Sequence, residues 1–282
     1  MAQSDMPTMR SRRLGAELRR LRVEAGLKVT DAADRLECGH PKISQIETGR
    51  RGIRQVDLTL LLDLYGVDDE HLRADLKRLA REIHRVDWWT SAGPMLRGTL
   101  KDYLTLEADS ECVRVFEAMV IPGLLQTEAY ARHVIGSAVP ERLDPLVETR
   151  MKRRELLAQH PGFRLRAIID VPALHRIPGG RSLVVEQLHH LLTMAERPNV
   201  NIQVLPLDAV LPTDQIPPFN IFTMRGESTA NILWLEHLTG ATLLEQQSDV
   251  SRYAAAWDEL TAAALSPAAS KRYIRDLIKD NT

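Results

Sequence analysis

The chain has 282 residues, more than one compact domain usually holds, so two domains are expected. A hydrophobic content of 44% and a charged content of 27% exclude a largely disordered, collagen-like or membrane-embedded chain. Net charge is −1, but residues up to Val56 carry a balance of +5 and the remainder −6, a basic head on an acidic body that suits a nucleic-acid reader joined to a larger module. No apolar run reaches the ~18 residues a membrane span needs. Met1 to Arg13 lacks the apolar core of a secretory signal. Cys38 and Cys112 make no disulfide framework and have no partner at metal-ligand spacing. These features lead us to expect a cytoplasmic protein that crosses no membrane.

Residues 1–10 are expected to be disordered and 11–86 to form an all-α domain of five helices. Leu14, Leu18 and Leu21 recur at i, i+4, i+7 and line one helical face, with Gly26 as the stop. A short second helix spans Val29 to Leu36 and turns Ala32, Ala33 and Leu36 inward. Lys28 stands at its cap with Asp31 three residues on, which gives half a capping box. A third helix starts at Gly39 or His40, tolerates Pro41 in its first turn, faces Ile43 and Ile46 inward and ends at Thr48-Gly49. Leu58, Leu61, Leu62 and Tyr65 mark a fourth helix; Leu72, Leu76, Leu79 and Ile83 mark a fifth.

A tight turn between the second and third helices makes this a helix-turn-helix. Pro41-Lys42-Ile43-Ser44-Gln45-Ile46-Glu47-Thr48-Gly49 resembles the recognition helix of the phage-repressor-like (XRE) family, and the likeness covers about residues 10–85. It implies that the third helix enters the major groove of double-stranded DNA with its N-terminal half against the bases. His40, Lys42, Ser44 and Gln45 are the side chains able to point outward there. Gln45 suits adenine; Lys42 suits guanine or a phosphate equally well. Arg50, Arg51 and Arg54 are expected on the backbone, with Lys28 as a further phosphate contact and Arg12, Arg13 and Arg19 as additional candidates. His40-Pro41 replaces the polar pair usual at the front of this helix. One such module binds weakly, so a homodimer reading two half-sites is expected.

Residues 87–98 read as a linker, with Trp88 and Trp89 ahead of the Gly93-Pro94 break as a packed seam. The larger domain, 99–282, is expected to be α+β with four or five strands. Leu100–Ala108 reads as helix and Cys112–Ile121 as strand. A helix follows at Thr127–Ile135, capped by Thr127, and a long charged one at Glu141–Gln159. Phe163–Asp170, Val200–Leu205, Phe219–Met224 and Asn231–Glu236 read as strands, the last two joined near Gly226. Arg181–Glu196 reads as a helix between strands. Val250, Tyr253, Trp257 and Leu260 form a helical apolar stripe, either core or dimer seam. Ser266-Pro267 caps a last helix. Arg150, Lys152, Arg153 and Arg154 read most simply as a solvated helix face, with extra surface for DNA or an acidic partner as the alternative.

The strings Ile121-Pro122-Gly123-Leu124-Leu125-Gln126-Thr127-Glu128-Ala129-Tyr130-Ala131, Asn199-Val200-Asn201-Ile202-Gln203-Val204-Leu205-Pro206 and Ala264-Leu265-Ser266-Pro267 resemble the C-terminal domain of actinobacterial Scr-family, antitoxin-like and WhiJ-like regulators. The resemblance implies a transcription factor answering to a small partner protein encoded nearby. Phe116-Glu117-Ala118 and Val171-Pro172 depart from its pattern. No nucleophile elbow, phosphate-cradling loop or dinucleotide fingerprint is present, and the nine histidines show no ligand spacing. The expectation is a DNA-binding regulator with no catalytic activity, metal or cofactor. The alternative is an interaction module whose helix-turn-helix shape mediates assembly.

Overall fold

A computed structural model describes residues 7–83, 85, 87–89, 98–160, 162–211, 216–226 and 231–281. They divide into two compact units, one drawn from the region up to residue 92 with Leu100–Leu106 and Gly226, the other from the rest.

The first unit holds α1 (Met9–Glu24), α2 (Val29–Arg35), α3 (His40–Glu47), α4 (Gln55–Leu64) and α5 (Glu70–Glu82). Helix α1 begins at Met9, inside the segment expected to be disordered, because the Thr8 hydroxyl accepts the Ser11 N–H and caps it. Gly26 ends it with φ +71°, a conformation that costs a side chain strain. The leucines and isoleucines read as inward-facing form one core, with Leu14, Leu18, Ile43, Ile46, Leu58, Leu61 and Leu62 almost fully buried. Asp87 and Trp89 of the expected linker belong to this unit: Asp87 accepts from Arg10 at 2.6 Å and Trp89 Nε1 donates to Thr105 Oγ1 at 3.3 Å. The Gly93-Pro94 break lies outside the described residues.

The second unit is a mixed six-stranded sheet of order β3-β2-β1-β4-β5-β6. Strands β1 (Ser110–Glu117), β2 (Arg164–Asp170) and β3 (Val200–Leu205) are parallel. Parallel neighbours need helical crossovers. Helices α7 (Glu128–Ala138), α8 (Leu143–Arg154) and α9 (Leu156–Gln159) supply the first, and α10 (Val171–His175) and α11 (Arg181–Met194) the second. Strands β4 (Phe219–Met224), β5 (Asn231–His237) and β6 (Gly240–Leu244) continue antiparallel. Helix α6 (Gly98–Asp109), whose Leu100–Leu106 belongs to the first unit, precedes β1, and α12 (Gln247–Ala263) and α13 (Pro267–Asp280) close the chain.

Several expectations change here. The sheet has six strands: β6 was missed because it is short and half-buried at an edge, with no alternation to mark it. Strand β1 stops at Glu117 and not at Ile121, whose N–H donates to Tyr130 Oη at 3.0 Å instead of to a neighbouring strand. The helix expected over 141–159 is a 3-10 turn, Pro140–Arg142, followed by α8 and α9. Pro145 lacks an N–H and fits only the first turn of α8. Trp257 is 1% exposed and packs with Val250 and Leu260 of α12 against Phe116, Phe219 and Leu233, so that stripe is core. Arg153 is no part of a solvated face: it is buried and makes a two-pronged pair with Glu107 at 2.8 Å for each bond.

Strand β3 lies at the sheet edge, where unpaired backbone groups invite aggregation. The α12–α13 connection covers part of that edge. Ser270 Oγ accepts the Val204 N–H at 2.9 Å, and Leu265 N–H donates to the Val204 carbonyl at 2.9 Å. Ser270 is fully buried, so Ser270→Ala strands a backbone donor and should cost about 1–3 kcal/mol. Urea unfolding of wild type and variant measures it, and an unchanged midpoint would mean the edge needs no cover. Among the described residues no helix is long and apolar enough to cross a membrane.

Candidate nucleic-acid interface

Helix α3 is seated on α1 and α2 by small residues and one buried ion pair. Ala32 and Ala33 are fully buried where α2 meets the core. A Cβ on Gly15 would lie 2.6 Å from the Glu47 carbonyl oxygen, so only glycine lets α1 cross the end of α3 this closely. Beside that crossing Arg22 donates to both Glu47 oxygens at 2.6 and 2.9 Å, and its third bond goes to the Leu27 carbonyl at 2.8 Å. Sequence reasoning named no partner for Glu47. The signal was present only as a glycine and an arginine on α1 in a segment already rich in arginine.

With Ile43 and Ile46 turned inward, α3 presents His40, Ser44 and Gln45 on its exposed side. Gly39 caps the helix without a side-chain bond and Pro41 fills its first turn, as the spacing predicts. Arg50, Arg51 and Arg54 follow and are exposed. Lys28 is exposed at the cap of α2, where its N–H donates to Asp31 Oδ2 at 2.6 Å; this is the half capping box expected. Lys42 differs from the others. Its ammonium donates to Asp57 Oδ2 at 2.9 Å and is mostly covered, while Arg54 donates to Asp57 Oδ1 at 2.9 Å. Asp57 thus ties α3 to the start of α4, a role sequence reasoning did not assign. Among the further candidates Arg12 pairs with Asp102 at 2.5 Å, Arg13 is buried and Arg19 is exposed.

Burial raises the Asp57 carboxyl, but the bonds from Arg54 and Lys42 and their charges outweigh it and hold the group below the usual carboxylate range. A lowered folded-state pKa gives stability that is complete above the unfolded value and disappears as acid protonates the folded carboxylate. Asp57→Asn should therefore weaken the first unit at neutral pH, with the gap to wild type closing below the ordinary carboxylate range. Denaturation midpoints across pH test this; a gap that stays constant with pH would exclude the charge as its origin.

Residues 13–76 match the family model described as Helix-turn-helix domain, and residues 100–276 match the one described as Domain of unknown function (DUF5753). The chain belongs to the DUF5753 family. The helix-turn-helix match, over α1 to α5, supports DNA binding and transcription regulation. No curated protein and no solved structure matches the chain.

In the DUF5753 region the string beginning at Ile121 folds back on itself. Tyr130 Oη accepts from Ile121 N–H, and Gln126 Nε2 donates to the Ile121 carbonyl at 2.7 Å. Arg150 donates to Gln126 Oε1 at 3.0 Å, while Gln187 on α11 bonds Thr127 N–H and the Leu125 carbonyl at 2.8 Å each. Thr127 caps α7 through the Tyr130 N–H, as expected. The second string holds Asn199, whose amide ties the Leu157 and Phe163 carbonyls, and the third covers the β3 edge. Of the two departures, Phe116 is core and Val171-Pro172 opens α10. Glu117 ends β1 half-buried and is pushed up to about 8, first by desolvation and then by Glu236, against the pull of Arg150. His175 and His237 bond Tyr273 and Thr239. No cluster of three or more His, Cys, Asp or Glu among the described residues could hold a metal.

Proposed function

We propose that the chain is a sequence-specific transcriptional regulator of the XRE type, of the kind found in the actinobacterial Scr-family antitoxin-like and WhiJ-like proteins. The observation that carries this reading is the exposed face of α3, His40, Ser44 and Gln45, followed at once by Arg50, Arg51 and Arg54. Gln45 reads adenine through paired donor and acceptor bonds, and the arginines hold phosphates that set the helix in register. Lys42, committed to Asp57, positions α3 and leaves base reading to its three neighbours. Lys28 adds a phosphate contact from the start of α2.

On this reading the protein acts in the cytoplasm as a homodimer, without cofactor or catalytic activity. The DUF5753 region takes a small partner protein or ligand; this rests on the resemblance of its three strings alone. A footprint on the chain's own upstream DNA tests the proposal. Two protected half-sites about 34 Å apart are expected for a dimer. Protection without preference for any sequence would leave a basic fold lacking a code. No protection would favour the assembly module.

A further inference from the structure

Strand register places three arginines together on one face of the sheet. Arg114 of β1 stands beside Arg166 of β2, and Cys112 of β1 beside Arg164. Residues two apart on a strand share a face, so all three side chains leave the sheet on the same side, from neighbouring backbones about 4.8 Å apart. It is the face that α12 covers further along, where Phe116 and Ile168, two residues on from Arg114 and Arg166, pack with Trp257 in the core. The arginines themselves stay open: Arg164 and Arg166 are exposed and Arg114 is half-buried.

The sheet supplies them no counter-charge. The row through Arg166 and Arg114 continues to Asn201 on β3 and Ile221 on β4, and the row through Arg164 to Cys112 and Thr223, so neither row brings a carboxylate. The Arg166 guanidinium lies 5.9 Å from the centre of the Trp257 ring, and Arg114 Nη2 donates to Asn231 Oδ1 at 3.3 Å. These contacts hold the two side chains without neutralising them. Among the described residues neither has a carboxylate within ion-pair distance, and Asp258 of α12 acts on Arg114 only from beyond it. Arg164 pairs with Glu111 at 3.3 Å, an exposed contact worth little. Like charges side by side on adjacent strands are destabilising, which sets this cluster apart from single arginines that solvate on their own. A guanidinium presents paired N–H donors that match a carboxylate, and arginine beside tryptophan is the composition that carries binding energy at interfaces. The chain beyond Val56 has a balance of −6, which repels a long polyanion such as DNA and favours a short acidic segment on a local basic face.

We propose that the open sheet face around Arg114, Arg164 and Arg166 docks an acidic segment of a protein partner, its carboxylates lying across the guanidiniums. The proposal rests on the reading above that this region takes a partner, and adds the surface and the chemistry that would recognise it. Side-by-side arginines become compatible once carboxylates lie over them, and Trp257 gives Arg166 a fixed platform from which to meet them.

The test is fluorescence anisotropy of the full-length protein with a labelled oligoglutamate peptide, and an oligoglutamine of equal length as control. Wild type should bind the acidic peptide, more weakly as salt rises, and ignore the neutral one. Arg114→Gln and Arg166→Gln should each weaken binding by about fivefold, the upper range for an exposed ion pair. Arg181→Gln, at an exposed arginine of α11, should leave it unchanged. No binding by wild type, no loss in the two sheet variants, or an equal loss in all three would overturn the proposal. The sheet variants should also leave the salt dependence of DNA binding unaltered. A slope shallower by about one phosphate contact would assign the face to DNA and overturn the proposal as well. Failure of the partner reading is a separate result: the chain and the protein encoded nearby would run apart on size exclusion after co-expression.

Discussion

Glu47→Ala should destabilise the first unit by about 3–5 kcal/mol, because it leaves Arg22 as an uncompensated buried charge. Both side chains are less than a tenth exposed and share two bonds at 2.6 and 2.9 Å. The loss is a large share of the ~5–15 kcal/mol that stabilises a domain, so the consequence reaches function: α3 loses its seat on α1. Arg20 provides the comparison. It pairs with Glu17 and Glu24 at 2.5 and 2.6 Å, yet is 48% exposed, and removing it should cost less than about 1 kcal/mol. Geometry alone would rank the two sites equally; burial ranks them apart. Hydrogen exchange along α1 and α3 should show protection lost in Glu47→Ala and kept in Arg20→Ala. Equal losses would mean that burial does not decide the matter.

The second large effect is expected at Glu107→Ala in the other unit. Glu107 is 0% exposed and its partner Arg153 6%, with two bonds of 2.8 Å. The single variant strands a guanidinium in the interior and should cost about 3–5 kcal/mol. Replacing both by apolar residues, Glu107→Leu with Arg153→Met, removes the charge together with its partner and should recover most of that loss. Urea unfolding followed by tryptophan fluorescence, with Trp257 in the core of this unit, gives the comparison. A double variant as unstable as the single one would show that these residues matter through shape and not through paired charge.

The helices of the first unit were legible because each carries its own period and punctuation. Leucines at 14, 18 and 21, Gly26, Pro41 and Gly49 are local signals, and the helices begin and end where these place them. The outward face of α3 was legible for the same reason: once Ile43 and Ile46 point inward, His40, Ser44 and Gln45 have no other side to occupy. What the pattern could not supply was pairing across the chain. Lys42 looked like a free cation until Asp57, fifteen residues on, took its ammonium. Arg153 looked solvated because its partner is 46 residues away. In the sheet the buried strands β2 to β5 announce themselves by apolar content, whereas β6 exists only because β5 offers it an edge to pair with. Ser270 and Gln187 escaped notice because a buried polar residue on a helix looks no different in sequence from an exposed one.

The central claim is that the outer face of α3 reads base pairs while the arginines after it hold the backbone. Fluorescence anisotropy of the full-length protein on its own upstream duplex and on a scrambled one, at two salt concentrations, tests it most directly. Wild type should prefer the native duplex and lose affinity steeply as salt rises, since phosphate contacts release counterions. Gln45→Ala should erase the preference at a cost of about 1–3 kcal/mol on the native duplex, with the salt slope unchanged. Arg50→Ala should weaken both duplexes alike and make the slope shallower by about one contact. A native-duplex preference untouched by Gln45→Ala, or an affinity indifferent to salt, would contradict the account.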